Sequence, residues 1–240
     1  MTITTRHTRR LLLGAAALAL VGGAVAAAAP ASALPVQQCG GLTEQQADLL
    51  GYRINTGDPT IGDVIVETAD NDNDWILLTD GFDDTVFSGG GRDFVCTDGG
   101  VDQVNLGQGN DFADLGSGTD FGFGEGGDDE ILGGSEADYL IGDNEVLLVP
   151  TDGADTIDGQ GGVDTIHGGR GADILRGGAD GDVMHGEDGW DSMYGEDGFD
   201  SLTGNQGWDL LDGGDQSDIG DGGLGFDTCV SVEFDHDCDA

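Results

Sequence analysis

Aspartate recurs at every ninth residue over two long blocks, glycines precede it at set places, and an apolar residue follows it two positions later. These three regularities predict an all-β fold: a right-handed parallel β-roll with two short strands per 18-residue turn, preceded by a small N-terminal cap containing a short helix. The first block holds Asp84, Asp93, Asp102, Asp111, Asp120, Asp129 and Asp138. The second holds Asp155, Asp164, Asp173, Asp182, Asp191, Asp200, Asp209, Asp218 and Asp227.

One unit reads Gly168-Gly169-Arg170-Gly171-Ala172-Asp173-Ile174-Leu175-Arg176, with glycine at positions 1, 2 and 4, aspartate at 6 and an apolar residue at 8. Glycine suits a turn that enters positive φ and a backbone that approaches its neighbour closely. Positions 7 to 9 make a strand of about three residues whose position 8 points inward while 7 and 9 point out. The inward set is Val86, Val95, Val104, Ala113, Gly122, Ile131, Leu140, Ile157, Ile166, Leu175, Met184, Met193, Leu202, Leu211, Gly220 and Cys229. A flexible linker has no reason to hold one aspartate and one hydrophobe in every nine residues.

Residues 1–33 read as an export signal. Arg6, Arg9 and Arg10 precede the apolar run from Leu11 to Ala29, and Ala31-Ser32-Ala33 is a small-residue cleavage pattern. Thr8-Arg9-Arg10 before three leucines also fits a twin-arginine signal, with the general secretory route the preferred reading. The expected location is outside the cell. The apolar run is alanine-rich and broken by glycine, and nothing else approaches the roughly 20 apolar residues of a spanning helix, so no membrane span is expected.

Residues 34–78 are read as the cap and degenerate first rungs. Thr43-Glu44-Gln45-Gln46 is a capping box opening a short helix that Gly51 ends, and Ile61-Gly62-Asp63-Val64-Ile65 resembles one more rung. Asp70 to Asp74 could bind calcium, with a solvated acidic loop the favoured reading. The two roll blocks span 79–144 and 153–230. Between them Asp138 and Asp155 stand 17 residues apart, which fits either an inserted loop over 145–152 or a degenerate unit one residue short. The insertion is favoured, because Pro150 is a poor ladder residue and Asp152-Gly153 reads as a turn. Residues 231–240 form a C-terminal tail. The even set Cys39, Cys96, Cys229 and Cys238 predicts disulfides with three connectivities open; Cys229 with Cys238 and Cys39 with Cys96 is the expected pairing.

Without the signal the chain carries 4 basic and 48 acidic residues, a net charge of −44, and no lysine. Such a charge excludes nucleic acid as a partner and, without counterions, expands the chain by self-repulsion. One modest hydrophobe per unit is also a thin core against the backbone entropy of nine ordered residues, so cation binding has to contribute to folding. Loops 18 residues apart stack at about 4.8 Å, which brings their aspartates together. All the donors there are carboxylate and carbonyl oxygens, with no Cys or His in the frame. That set suits calcium, with six to eight oxygen ligands, better than zinc or the tighter octahedron of magnesium.

The frame resembles the RTX repeat G-G-x-G-x-D-x-U-x from Asp84 to Val230, about three-fifths of the chain. The resemblance implies calcium between successive loops of one side, bound by the position-6 aspartates together with backbone carbonyls of the glycine-rich positions. On this chain those glycines are Gly91, Gly100, Gly109, Gly118, Gly127, Gly162, Gly171, Gly189, Gly198 and Gly207. Sixteen units bridged in this way allow at most 14 ions, which would bring the charge to −16. The frame is weaker where Phe82 precedes Asp84 and at Ala179-Asp180 and Asp215-Gln216. The chain also resembles short secreted RTX proteins of high-GC Gram-positive bacteria, with a closing cysteine pair around Cys229-Val230-Ser231, and departs from toxins and proteases of the family, which export through a C-terminal signal.

Two other features invite a function. Trp190, Trp208 and Phe226 occupy position 5 at a spacing of 18, a row that either stacks or offers a sugar platform; Phe199 stands alone on the other side. His167 and His185 are 18 apart at position 9, where a surface pair is favoured over a transition-metal site. H-E-x-x-H and G-x-S-x-G are absent and the carboxylates are explained by calcium, so no enzyme is expected. The principal expectation is an extracellular calcium-folded module. The alternative is an adhesion protein that binds a cell-envelope glycan or surface protein on the same scaffold. Oligomeric state is not legible in the sequence.

Overall fold

The computed structural model describes residues 38–39, 42–43, 53–55, 64–66, 73–78, 81–143 and 153–239. The chain divides into two units, Met1–Val36 and Gln37–Ala240, the first lying outside the described residues. The expected helix after Thr43 and the loop over 145–152 also lie outside them.

The described elements are all strands: an antiparallel pair, Gln38–Cys39 with Leu42–Thr43, and a parallel solenoid of two sheets that each stack ten rungs. One sheet runs through Arg53–Asn55, Asp74–Leu77, Phe94–Cys96, Phe112–Asp114, Glu130–Ser135, Thr156–Gly161, Ile174–Ala179, Ser192–Asp197, Leu210–Asp212 and Thr228–Val230. The other runs through Val64–Val66, Thr85–Phe87, Gln103–Gly109, Phe121–Gly126, Tyr139–Asp143, Thr165–Gly171, Val183–Gly189, Ser201–Gly207, Ile219–Asp221 and Phe234–His236. The chain alternates between the sheets, and within each repeat block partners lie 18 residues apart, as Ile157 opposite Leu175 and Leu175 opposite Met193. Across the interruption Ile131 lies opposite Ile157 and Leu140 opposite Ile166, a step of 26. Eight extra residues therefore leave every loop on its own side.

Several strands reach seven residues rather than three. The glycine loops stack with the same parallel register as the strands, so the ladder continues around the turn. Alternation also carries past position 8, which turns position 1 inward. In the early turns Leu106 and Leu115 occupy that position, both fully buried, where later turns have glycine. Leu115 fills the room left at Gly122: a methyl group there would meet Leu115, Ile131 and Leu140 at 3.1–3.2 Å. The inward residues from Val86 to Leu211 otherwise form one continuous core, with Ile76 and Leu78 at its start and Cys229 partly buried at its end. Val64–Val66 joins the sheet beside Thr85–Phe87, the degenerate rung expected there. Asp74 departs from the solvated loop expected over 70–74, since it is 2 % exposed and opens a strand one residue out of step with the array.

Adjacent residues of one strand test the alternation. Leu175 is fully buried and Ile174 points outward. Leu175→Ala is expected to lower the unfolding free energy by about 2–5 kcal/mol and Ile174→Ala by no more than about 1 kcal/mol, measured by chemical denaturation of the folded protein.

Candidate metal centre

The sixteen aspartates of the array form two rows, one along each edge of the roll. The first comprises Asp84, Asp102, Asp120, Asp138, Asp164, Asp182, Asp200 and Asp218; the second comprises Asp93, Asp111, Asp129, Asp155, Asp173, Asp191, Asp209 and Asp227. All are at most 4 % exposed. Along each row the backbone N–H of one aspartate donates to Oδ1 of the next, at 2.7–3.0 Å. The second row starts one turn earlier, with the N–H of Asp74 donating to Oδ1 of Asp93.

The other oxygen, Oδ2, is buried without a hydrogen-bond donor at Asp111 and Asp120 and at Asp129, Asp138, Asp155, Asp164, Asp173, Asp182, Asp191, Asp200, Asp209, Asp218 and Asp227. From Asp129 to Asp227 it faces the position-1 glycine, five residues upstream except at Asp155, where Gly142 across the interruption takes that place. A methyl group on Gly204 would lie 2.6 Å from Asp209 Oδ2 and 2.6 Å from the Gly222 carbonyl oxygen; on Gly186 it would lie 2.5 Å from Asp191 Oδ2 and 3.0 Å from the Gly204 carbonyl. The same cradle of glycine, carboxylate and carbonyl recurs at the eleven aspartates from Asp129 to Asp227. A buried carboxylate oxygen with no donor is costly unless a cation faces it, and this all-oxygen lining fits a hard divalent ion.

The cradle is absent in the early turns. Ser88, Thr97, Leu106 and Leu115 replace glycine upstream of Asp93, Asp102, Asp111 and Asp120, and the hydroxyls of Ser88 and Thr97 donate to the carbonyls of Leu106 and Leu115 at 2.7 and 2.9 Å. The position-4 glycines named from the sequence line the loops as well. A methyl group on Gly109, Gly118, Gly127, Gly171, Gly189 or Gly207 would collide with the carbonyl of the position-4 residue one turn earlier. Gly91, Gly100 and Gly162 adopt φ of 132–138°, and Gly198 packs on the Asp180 carbonyl. Gly153 and Gly225, which the sequence reading passed over, occupy equivalent places and were findable from their position two residues before Asp155 and Asp227. In the first row Glu136, Asp180 and Gln216 replace this glycine, at φ of 71°, 76° and 87°.

Burial pushes these carboxyls upward against the opposing pull of the backbone N–H, and neighbouring carboxylates add to the rise at several of them. Asp155 reaches about 9, Asp129 and Asp191 about 8, and Asp111 about 7 in the second row. In the first row Asp138 and Asp182 reach about 7, and Asp102, Asp120 and Asp164 about 6.

The aromatic row stacks. Trp190 and Trp208 lie 5.4 Å apart at 8°, and Phe226 meets Trp208 edge-on at 5.5 Å. The indole faces turn toward each other along the roll, whereas a sugar platform needs rings side by side with free faces. His167 stacks on His185 at 4.8 Å, with Glu187 3.4 Å from His167 Nδ1; burial, with the His167 charge, lowers the His185 pKa. His236 sits between Asp221 and Asp237 on the exposed surface.

Cys229 and Cys238 form a disulfide. Cys96 is disulfide-bonded too, and the side chain of its expected partner Cys39 lies outside the described residues.

These features define a parallel β-roll of nonapeptide repeats whose loops carry buried acidic rows. The chain belongs to the RTX calcium-binding nonapeptide repeat family, whose four-copy model matches residues 68–104, 78–113, 114–145, 150–184, 167–202, 185–220 and 194–229. No curated protein matches the chain. Among the described residues no helix is long and apolar enough to cross a membrane.

The raised carboxyl pKa values set the sign of a pH effect. Between the ordinary aspartate value and these raised values the folded chain binds more protons than the unfolded one, so metal-free stability rises as pH falls. In excess chelator, β structure followed by circular dichroism is expected to increase from about pH 8 to about pH 5.5.

Proposed function

We propose that the protein binds calcium outside the cell, through its two rows of loops, and that the roll forms as the ions bind. The observation that carries this reading is the set of buried, donorless Oδ2 atoms from Asp129 to Asp227, each opposite a carbonyl oxygen and over a glycine that leaves the space open. The proposed ligands are the aspartates from Asp129 to Asp227 with loop carbonyls, among them those of the position-4 glycines. Asp84, Asp93, Asp102, Asp111 and Asp120, with Gly91, Gly100, Gly109 and Gly118, continue the rows into turns with a more apolar interior. The expected number of ions is therefore nearer the eleven glycine-floored cradles than fourteen. The role is structural and non-enzymatic, and the export signal over residues 1–33 supports secretion.

Bare carboxylates in these places repel one another and have lost their water, while the thin core offers little to offset that cost. Calcium supplies both the missing charge and the missing ligand contacts, so binding and folding are linked. A calcium titration of the chain lacking residues 1–33, followed by circular dichroism and calorimetry, is expected to convert a disordered chain cooperatively to β structure at about 0.1–1 mM calcium, the range of extracellular modules. Full β structure in excess chelator at neutral pH would falsify the coupling. Gly204→Ala, which puts a methyl against Asp209 Oδ2 and the Gly222 carbonyl, is expected to weaken calcium binding at least about tenfold at that site, read by calorimetry.

A further inference from the structure

The repeat pattern and the family match both end near Cys229, but the ladder continues past it. An interior cradle has three parts: a glycine floor, its buried aspartate, and a carbonyl from the next turn. Asp218 and Asp227 have no repeat unit one turn further on to supply the third part. Residues 231–239 stand there instead. A methyl group on Gly213 would lie 2.5 Å from both Asp218 Oδ2 and the Ser231 carbonyl oxygen. On Gly222 it would lie 2.9 Å from Asp227 Oδ2 and 2.6 Å from the Asp237 carbonyl oxygen. These distances match the interior cradle at Gly204, where both are 2.6 Å.

The hydrogen-bond chain is also carried on by a substitute. The N–H of Asp218, which would donate to the next aspartate of its row, donates to Glu233 Oε2 at 2.7 Å. Phe234–His236 then pairs in parallel with Ile219–Asp221 at an offset of 15 instead of 18, so the turn is shortened by three residues. On the second row the N–H of Asp239 donates to the Asp227 carbonyl at 2.8 Å. The Cys229–Cys238 disulfide encloses Ser231, Glu233 and Asp237. Asp218 and Asp227 are 0 % and 1 % exposed, and each aims a donorless Oδ2 into its cradle.

We propose that this non-repeat segment completes two terminal calcium sites. Asp218 with the Ser231 carbonyl and the Glu233 carboxylate forms one, and Asp227 with the Asp237 carbonyl forms the other. Glu233 takes the place of a row aspartate and brings the same charge, one methylene further from the backbone. The segment is thus part of the metal array as well as a cover for the sheet edge. The inference rests on the calcium-binding reading above.

Crystals of the chain lacking residues 1–33, grown with terbium as an anomalous-scattering substitute for calcium, test both. Ions in the interior loops and at both terminal positions are the expected result. Ions in the interior loops alone overturn the terminal sites and leave the calcium reading intact, whereas no ions anywhere overturns both. Glu233→Gln retains an acceptor for the Asp218 N–H but removes the charge. It is expected to lose the ion at Asp218 while keeping the one at Asp227; equal occupancy at both would remove Glu233 from the site.

Discussion

Each row aspartate has two roles that pull against each other. Through Oδ1 it accepts the backbone N–H of the aspartate one turn earlier, which holds the loops in register. That bond fixes the carboxylate inside the roll, and from Asp111 onward it leaves Oδ2 buried with no donor. Register and the demand for a cation are consequences of one side-chain placement. Desolvation, moderated by a single N–H and reinforced by neighbouring carboxylates, accounts for carboxyl values as high as about 9 at Asp155. A proton or a divalent cation relieves the same strain, so acid and calcium act on the roll in the same direction.

The array is not uniform along its length. Its first turns bury Ile76, Leu78, Leu106 and Leu115 in addition to the position-8 residues, and Ser88 and Thr97 bridge turns with hydroxyl hydrogen bonds. These turns draw on apolar burial where the later ones draw on glycine and carboxylates. The rows differ as well. Position 4 of the second row is glycine from Gly91 to Gly225, while the first row admits Glu136, Asp180 and Gln216 in a left-handed conformation that L-residues adopt at a cost. The three highest carboxyl values, at Asp155, Asp129 and Asp191, all fall in the second row, although Asp173 of that row reaches only about 6.

Legibility followed periodicity. The inward set from Val86 to Leu211 was readable because a two-residue alternation on a nine-residue frame leaves only one choice of face. Leu78, Leu106 and Leu115 escaped, since position 1 is written as glycine in most units and its inward direction shows only once the strand runs on into the loop. Asp74 escaped because it stands ten residues before Asp84, which breaks the count although not the ladder. Ser231, Glu233 and Asp237 share no spacing with the repeat; their equivalence to repeat positions arises from a shortened turn.

The sequence by itself determined the all-β roll, its 18-residue turn, the composition of the two rows and the preference for an all-oxygen cation site, because each follows from spacing and donor chemistry alone. Only the tertiary structure decided that the interruption preserves the sides of the loops, that the two carboxylate oxygens have separate tasks, and which cradles are open. Those depend on what lies one turn away, 18, 26 or 15 residues along the chain, and a local frame does not record which of these steps a given loop takes.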